Sequence, residues 1–301
     1  MTSDQPHIGI ITDEEYADLT EDGQAIATEI KNQGYQVDPV VWSDAGDLSS
    51  YDIVLIRSCW DYHTDFAEFQ SFLEKLEENG VTAYNPVPVI RWNAHKSYYS
   101  DLEDVGVPIP PSVCLERGTE ISLKKILREQ GWDKAVIKPA VGAGSAGVWR
   151  TSIGEAKNDQ ARFNIACADG DTVVQQFVPE ISQGERSIVF IRGEYSHAWN
   201  DLTKPGDFSD FTEPDLDYDP NTDIIKSARA VLEQACTFLA CEPADLPYAR
   251  VDYVERDNDI LVLELELIEP YLGLAREDGA VETFVSSFVE LFRDIKINAS
   301  R

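Results

Sequence analysis

"VIKPAVGAGSAGVWR" (residues 136–150) carries G-x-G-x-x-G at Gly142, Gly144 and Gly147. Several phosphate-binding folds share this spacing, so the flanking residues decide between them. A dinucleotide-binding βαβ unit needs a helix to begin within the glycines, and an acid about 20 residues on. Here Val148, Trp149 and Arg150 keep strand character, and a helical pattern returns only near Gly154. Strand, glycine loop and strand predict a hairpin flap, Gly142 to Gly147 with Ser145, whose backbone N–H groups fold over phosphates. The chain holds no G-x-x-x-x-G-K-[ST], which excludes a P-loop. Lys138, ending the first strand, can reach the same phosphates as a point charge. At this point a purely structural glycine turn remains the alternative.

Downstream, "TVVQQFVPE" (172–180) reads as an apolar strand running into Gln175, Gln176, Phe177 and Val178, which can face an adenine edge. Glu180 and Glu185 follow closely enough to serve ribose hydroxyls. Further on, "LVLELELIEP" (261–270) threads Glu264, Glu266 and Glu269 through the most apolar run of the chain. An unpaired buried carboxylate is costly or protonates. Strand side chains alternate, so Glu264 and Glu266 share a face and can share a cation. Asp252 in "YARVDYVE" (248–255), on the expected neighbouring strand, is the natural third ligand, with Arg250 on its own face. An oxygen-only set beside phosphates implies Mg²⁺ or Mn²⁺. A wet acidic strand edge is the other reading of the same alternation. Glu269 projects beyond the strand, or onto its other face.

Upstream, "HIGII", "YQVDPVVW" and "YDIVLIRS" read as strands separated by amphipathic helices, which predicts a small open parallel sheet. Ligands of such sheets lie beyond the carboxyl ends of the strands. "RSCWDYH" (57–63) falls at such an end, so Arg57, Trp60, Asp61 and Tyr62 are candidate substrate contacts, or a loop whose Trp caps the core. A helix then separates "YNPVPV" from "VGVPIPPS", a proline cluster that reads as a hinge. Beyond the glycine loop come strands at 186–192 and 195–200, a helix near 222–240, two more strands and a C-terminal helix.

Acidic residues number 55 against 25 basic, for a formal charge of −30. That field repels phosphate backbones, so no nucleic-acid partner is expected. The acids are spread over every segment, a pattern suited to high salt, where screening relieves self-repulsion. No run approaches a membrane span, and the N-terminus lacks a basic start, so a cytoplasmic protein without a membrane partner is expected. The five cysteines form no C-x-x-C and the four histidines are scattered, against a zinc site or disulfide framework. In "DFSDFTEPDLDYDPNTD" (207–223), Asp215, Asp217 and Asp219 open like a calcium loop. Pro220 at the sixth place and Lys226 at the twelfth exclude one, leaving a solvated loop or a flap.

In order, the chain presents Lys96 on a helix, Lys138 before a glycine flap, Q-x-F-V-P-E, R-V-D and E-x-E. This combination resembles the ATP-grasp superfamily across nearly the whole chain, with glutathione-synthetase-like and ribosomal-protein-glutamate-ligase-like members most similar. "RSCWDY", "GERSIVFIRGEYSHAW" and "LELELIEP" look closer still to a branch that includes the O-ureido-D-serine cyclo-ligase forming D-cycloserine. The resemblance implies an α/β fold with α+β lobes: an N-terminal open parallel domain (1–105), a central lobe with the flap (106–178) and a C-terminal lobe with the metal site (179–301). It implies that Lys96 and Lys138 bind nucleotide and that Gln175 to Val178 form the adenine hinge. Glu185 then matches an acidic position after the hinge. Asp252, Glu264 and Glu266 would hold the metal, with Arg250 near the transferred phosphoryl group.

The superfamily usually has E-x-N where Glu264-x-Glu266 stands, which makes this site more anionic. Ser209 follows "KPGDF" where the narrow branch leads one to expect Arg. The activity implied is ATP-dependent carboxylate–amine ligation, between molecules or within one, through an acylphosphate with release of ADP. A phosphotransferase, or a nucleotide-binding protein without turnover, is the alternative. Arg57, Asp61, Glu269 and Tyr271 are the candidate neighbours of a small carboxylate and amine substrate. Nothing in the spacing identifies that substrate or the oligomeric state.

Overall fold

Apolar residues fill both faces of the earliest strands, the mark of a parallel sheet covered on each side. The computed structural model describes residues 6–202 and 215–299, with side chains as far as Arg293. β1 (His7–Thr12), α1 (Glu21–Asn32), β2 (Gln36–Val41), β3 (Ile53–Ser58), α2 (Phe66–Glu78) and β4 (Thr82–Tyr84) form the first unit. Its strands pair in parallel in the order β2-β1-β3-β4. Thr20 and Asp65 cap the two helices by accepting the amides of Gly23 and Glu68, each satisfying a donor the first turn leaves free. Phe69, Phe72, Leu73 and Leu76 of α2 cover one face of the sheet.

The chain next forms α3 (Val87–Asn93) and α4 (Tyr98–Asp104) where one helix is expected from the sequence. Lys96 therefore lies in the turn between them and not on a helix. The cause is docking: the Lys96 amide donates to the carbonyl of Ala140 at 2.7 Å, and His95 Nδ1 lies 2.9 Å from Ser97 Oγ. These bonds replace the helical ladder and tie the turn to the start of the glycine loop.

β5 (Ser112–Leu115), α5 (Leu123–Gln130), β6 (Lys134–Pro139), β7 (Trp149–Ser152), α6 (Ala156–Asp169) and β8 (Thr172–Gln176) build a second, antiparallel sheet in the order β5-β8-β6-β7. β6 and β7 pair from Lys134↔Ser152 to Ile137↔Trp149, and the glycine loop closes that hairpin. Leu123, Ile126 and Leu127 of α5 and Phe163 of α6 form the core beneath it.

β9 (Glu185–Ile191), β10 (Glu194–Asp201), α7 (Thr222–Leu239), β11 (Ala249–Arg256) and β12 (Asp259–Glu266) give the third sheet, antiparallel in the order β10-β9-β11-β12. α8 (Ala280–Ala299) returns to the first unit and packs Phe284, Phe288 and Val289 with Ile26 and Ile30 of α1. Burying each such phenylalanine contributes about 2–3 kcal/mol, which fixes the third sheet against the first.

Three buried side chains complete that joint. Asn93 receives the Leu267 amide and donates to the Leu265 carbonyl, both at 2.7 Å. Asn85 donates to the carbonyls of Leu267 and Tyr248 at 2.7 and 3.0 Å. The Tyr248 hydroxyl lies 2.7 Å from the Ile268 carbonyl. Ser209 and residues 207–214 of the acidic stretch lie outside the described residues. Asp215 bridges to Asn200, and Asn221 caps α7. No helix among the described residues is long and apolar enough to cross a membrane.

Candidate active site

Register builds the centre of the site. β11 and β12 set Arg250 opposite Glu266 and Asp252 opposite Glu264, and a bulge follows directly, between Asp252 and Tyr253. Alternation puts these four charged groups on one face of the sheet, while Val251, Leu265 and Leu267 enter the core on the other. Arg250 grips Asp252 with a two-pronged pair at 2.8 Å for each bond, and donates its third bond to the Tyr271 carbonyl at 2.9 Å. Ser187, opposite Asp252 on β9, donates to the same carboxylate at 2.7 Å.

The two lysines come from different elements and meet on Glu264. Lys138 Nζ, at the end of β6, lies 3.2 Å from Oε1, and Lys96 Nζ, from its turn, lies 3.4 Å from Oε2. Lys138 also donates to the Tyr99 hydroxyl at 2.8 Å, and that hydroxyl donates to the Leu263 carbonyl at 3.1 Å. Burial works to raise the Glu264 carboxyl, but the two ammonium groups prevail and hold it well below the usual carboxylate range. Burial pulls Lys138 down against the attraction of Glu264, while for Lys96 the neighbouring carboxylates outweigh burial and raise it. Glu185 is pushed up to about 8 by burial beside Asp252 and Glu264. Burial also raises Glu266 well above its ordinary value, against the pull of Arg250.

A cavity of about 950 Å³ runs between the three sheets over this centre. On the side of the second sheet its wall is Gly142, Gly144 and Ser145 of the glycine loop with Gln175, Gln176, Phe177 and Val178. On the side of the first sheet and β10 it is Trp60, Tyr62, Trp199, Glu269, Tyr271 and Arg276. Gly147 closes the loop at φ +74°, a left-handed conformation that favours glycine, and a Cβ there would stand 3.1 Å from Pro139 Cγ.

Most residues singled out from the sequence thus meet at one cavity, and some do not. Arg57 is 4% exposed behind the wall and donates to the Pro270 carbonyl at 2.9 Å. Asp61 accepts the Trp42 indole at 2.6 Å. Neither lines the cavity, because each is spent on holding its own loop, whereas Trp60 and Tyr62 beside them do line it. Glu180 is engaged by Arg256 in a two-pronged pair at 2.7 and 2.9 Å and does not line the cavity. Ser187, Tyr99, Trp199, Asp201 and Arg276 escape the sequence reading. Only Ser187 had a signal, two residues after Glu185 on the same strand face.

Among the described residues no three His, Cys, Asp or Glu side chains are already gathered around an ion-sized space. The donor set nevertheless fits a hard divalent cation. Asp252, Glu264 and Glu266 offer oxygen only and sit on paired positions of adjoining strands. The surplus of carboxylates over cations is what such an ion would relieve.

Comparison with known proteins follows this geometry. Residues 8–85 match the family model for the N-terminal domain of D-cycloserine synthetase DcsG, and residues 108–211 that for the ATP-grasp domain of prokaryotic glutathione synthetase. The cycloserine biosynthesis protein DcsG of Streptomyces lavendulae is 29% identical over 288 residues, covering 91% of this chain and 95% of that protein. A glutathione synthetase of Rhodopseudomonas palustris is 26% identical over 155 residues, 51% of this chain and 47% of that protein. The crystal structure of D-cycloserine synthetase DcsG superposes with a TM-score of 0.84 at 27% identity, covering 95% of this chain and 99% of the other. D-alanine–D-alanine ligase from Bacillus anthracis, complexed with ATP, superposes with a TM-score of 0.69 over 98% of both chains. At 15% identity that likeness speaks for the fold alone.

Proposed function

We propose that this chain, a member of the ATP-grasp superfamily and an ATP-dependent ligase using Mg²⁺ or Mn²⁺, joins a carboxylate to an amine within one small amino-acid-derived substrate. The observation that carries the reading is the continuity of the cavity. One wall holds a glycine flap and two lysines, the floor holds Glu185, Asp252, Glu264 and Glu266 with Arg250, and the far end is lined by Trp60, Trp199 and Tyr271. That end suits a small molecule better than a peptide. Support comes also from the similarity, along nearly the whole chain, to a cycloserine biosynthesis protein and to the structure of a D-cycloserine synthetase.

In this reading Gln175 to Val178 take the adenine, Glu185 serves the ribose, and Gly142 to Gly147 with Ser145 close over the phosphates. Lys96 and Lys138 leave Glu264 for the incoming triphosphate, exchanging one anion for another. Asp252, Glu264 and Glu266 would then hold the divalent ion, which when bound offsets phosphate charge. The substrate carboxylate attacks the γ-phosphorus, forming an acylphosphate and ADP. The amine nitrogen attacks the acyl carbon, the C–O bond to phosphate breaks, and phosphate leaves carrying the proton that the nitrogen gives up. Arg250, locked by Asp252 in one orientation, stabilises the oxyanion of that second step. Flap closure keeps water from the acylphosphate.

We assign 1–105, 106–178 and 179–301 to the substrate-side, flap and metal-binding units, and place the reaction in the cytoplasm, where ATP is supplied. The test is ADP release with O-ureido-D-serine and with a panel of amino acids, each with and without a second amine. ADP and phosphate in equal amounts, with one cyclised product and no need of a second amine, are expected. A strict requirement for a second amine defeats the cyclising reading. A stable phosphorylated product without amide defeats ligation altogether.

A further inference from the structure

Just beyond β12, three successive backbone carbonyls are held by side chains from the end of β3 and the turn directly after it, and from β11. Glu269 accepts the Trp60 indole at 2.9 Å, Pro270 accepts Arg57 at 2.9 Å, and Tyr271 accepts Arg250 at 2.9 Å. The segment is fixed far more firmly than an ordinary loop. The side chain it presents is Glu269, which is 4% exposed and lines the cavity. Its Oε2 is buried and has no hydrogen-bond partner among the described residues. Among the described residues Lys96 is paired with Glu264 and Arg250 with Asp252, while Arg57 gives its Nη2 to the Pro270 carbonyl and forms no ion pair with Glu269. A rigid frame around a buried carboxylate whose Oε2 is unpartnered among the described residues leaves that group to protonate or to be completed by something cationic, because as a bare anion it loses its hydration without compensation.

We propose that Glu269 is a specificity-determining residue that binds the spectator ammonium group of an amino-acid-derived substrate. The assignment rests on the ligase reading above for the identity of the site. A nitrogen about to attack must be unprotonated, whereas a buried, unpaired carboxylate selects a protonated one. The group held by Glu269 is therefore the amine that stays free, and holding it orients the rest of the molecule toward the phosphates. The rings of Trp60, Tyr62 and Tyr271 on the same wall add a surface on which a cation is favoured. The rival account is structural: water linking Glu269 to the buried Nε and Nη1 of Arg57, which also lack partners.

The test compares wild type, Glu269→Gln and Glu269→Asp with D- and L-serine, O-ureido-D-serine, their N-acetyl derivatives and 3-hydroxypropanoate. Binding is measured by calorimetry with a non-hydrolysable ATP analogue and Mg²⁺, and turnover by ADP release. Expected are binding of at least one ammonium-bearing probe, at least tenfold loss on N-acetylation, a similar loss in Glu269→Gln, and partial recovery in Glu269→Asp. Nucleotide affinity stays level, and Glu269→Gln melts no lower than wild type. Wild-type protein that binds no ammonium-bearing probe, or a Gln variant that binds as wild type does, overturns the assignment. So does a lower melting point in that variant with unchanged probe affinity, the mark of the water-linked pair. Charge-dependent binding without ADP release would instead sink the ligase reading and leave Glu269 in place.

Discussion

Glu264 stands between Lys138 at 3.2 Å and Lys96 at 3.4 Å, so one carboxylate balances two buried ammonium groups. Glu264→Gln keeps the shape and removes the charge. ADP release should fall roughly 100-fold while the circular dichroism spectrum stays that of wild type. Unchanged turnover would remove Glu264 from the ion-binding set. His197 belongs to the same scale but acts on stability. It is 7% exposed, its Nε2 donates to the Leu272 carbonyl at 2.6 Å, and burial lowers its pKa. An unfolded chain takes up this proton near pH 6.5, the folded one only at lower pH. Its effect on stability is therefore level above about pH 6.5, and stability is lost as pH falls from there toward the folded value. Titrating melting temperature from pH 7.5 to 5 should show a shallower acid-side decline for His197→Asn than for wild type. At this scale the sequence was informative where chemistry is carried by alternation. Glu264, Glu266, Arg250 and Asp252 could be placed on one face by counting residues. Arg57 and Asp61 could not be separated from Trp60 and Tyr62, since which loop residues turn inward depends on Trp42 and Pro270, remote in the chain.

The glycine loop and the 273–276 turn are the elements that must hold a shape. Gly144 and Gly147 have φ of +57° and +74°, whereas Gly142 does not occupy the left-handed region. Gly147→Ala meets both the backbone penalty and Pro139, so it should cost about 1 kcal/mol or more of stability and raise KM for ATP. Gly142→Ala should leave melting temperature within error. Equal melting temperatures for the two variants would contradict this reading of the loop. At the other end of the cavity, the Asp22 carboxylate on α1 accepts the amides of Leu274 and Ala275 at 3.2 and 2.9 Å. Asp22→Asn should loosen the turn that carries Arg276 and raise KM for the substrate with kcat less affected. A fall in kcat alone would show that the turn acts otherwise. The hairpin around the glycines was legible because Val148 to Arg150 kept a strand pattern. The break between α3 and α4 was not, because it is dictated by a hydrogen bond to Ala140, 44 residues away from Lys96.

A charge of −30 on 301 residues acts on the molecule as a whole. Self-repulsion favours the expanded chain, and added salt screens it. Melting temperature should therefore rise steadily between 0.1 and 2 M KCl, and more in KCl than in an equally osmotic sucrose solution. A flat salt response would remove the charge from the account of stability. The strand and helix alternation of the first unit, the glycine hairpin and the acidic face of β12 were determined by the sequence itself. Each rests on short-range periodicity: apolar residues two or nearly four apart, and glycines where the backbone must turn. What only the tertiary structure decided is which of those groups meet. Lys96 and Lys138 arrive from different elements, Arg57 is turned into the wall, and Glu269 keeps an Oε2 unpartnered among the described residues on a clamped backbone. Such meetings depend on the packing of three sheets and on hydrogen bonds between residues far apart in the chain, and no local periodicity encodes them.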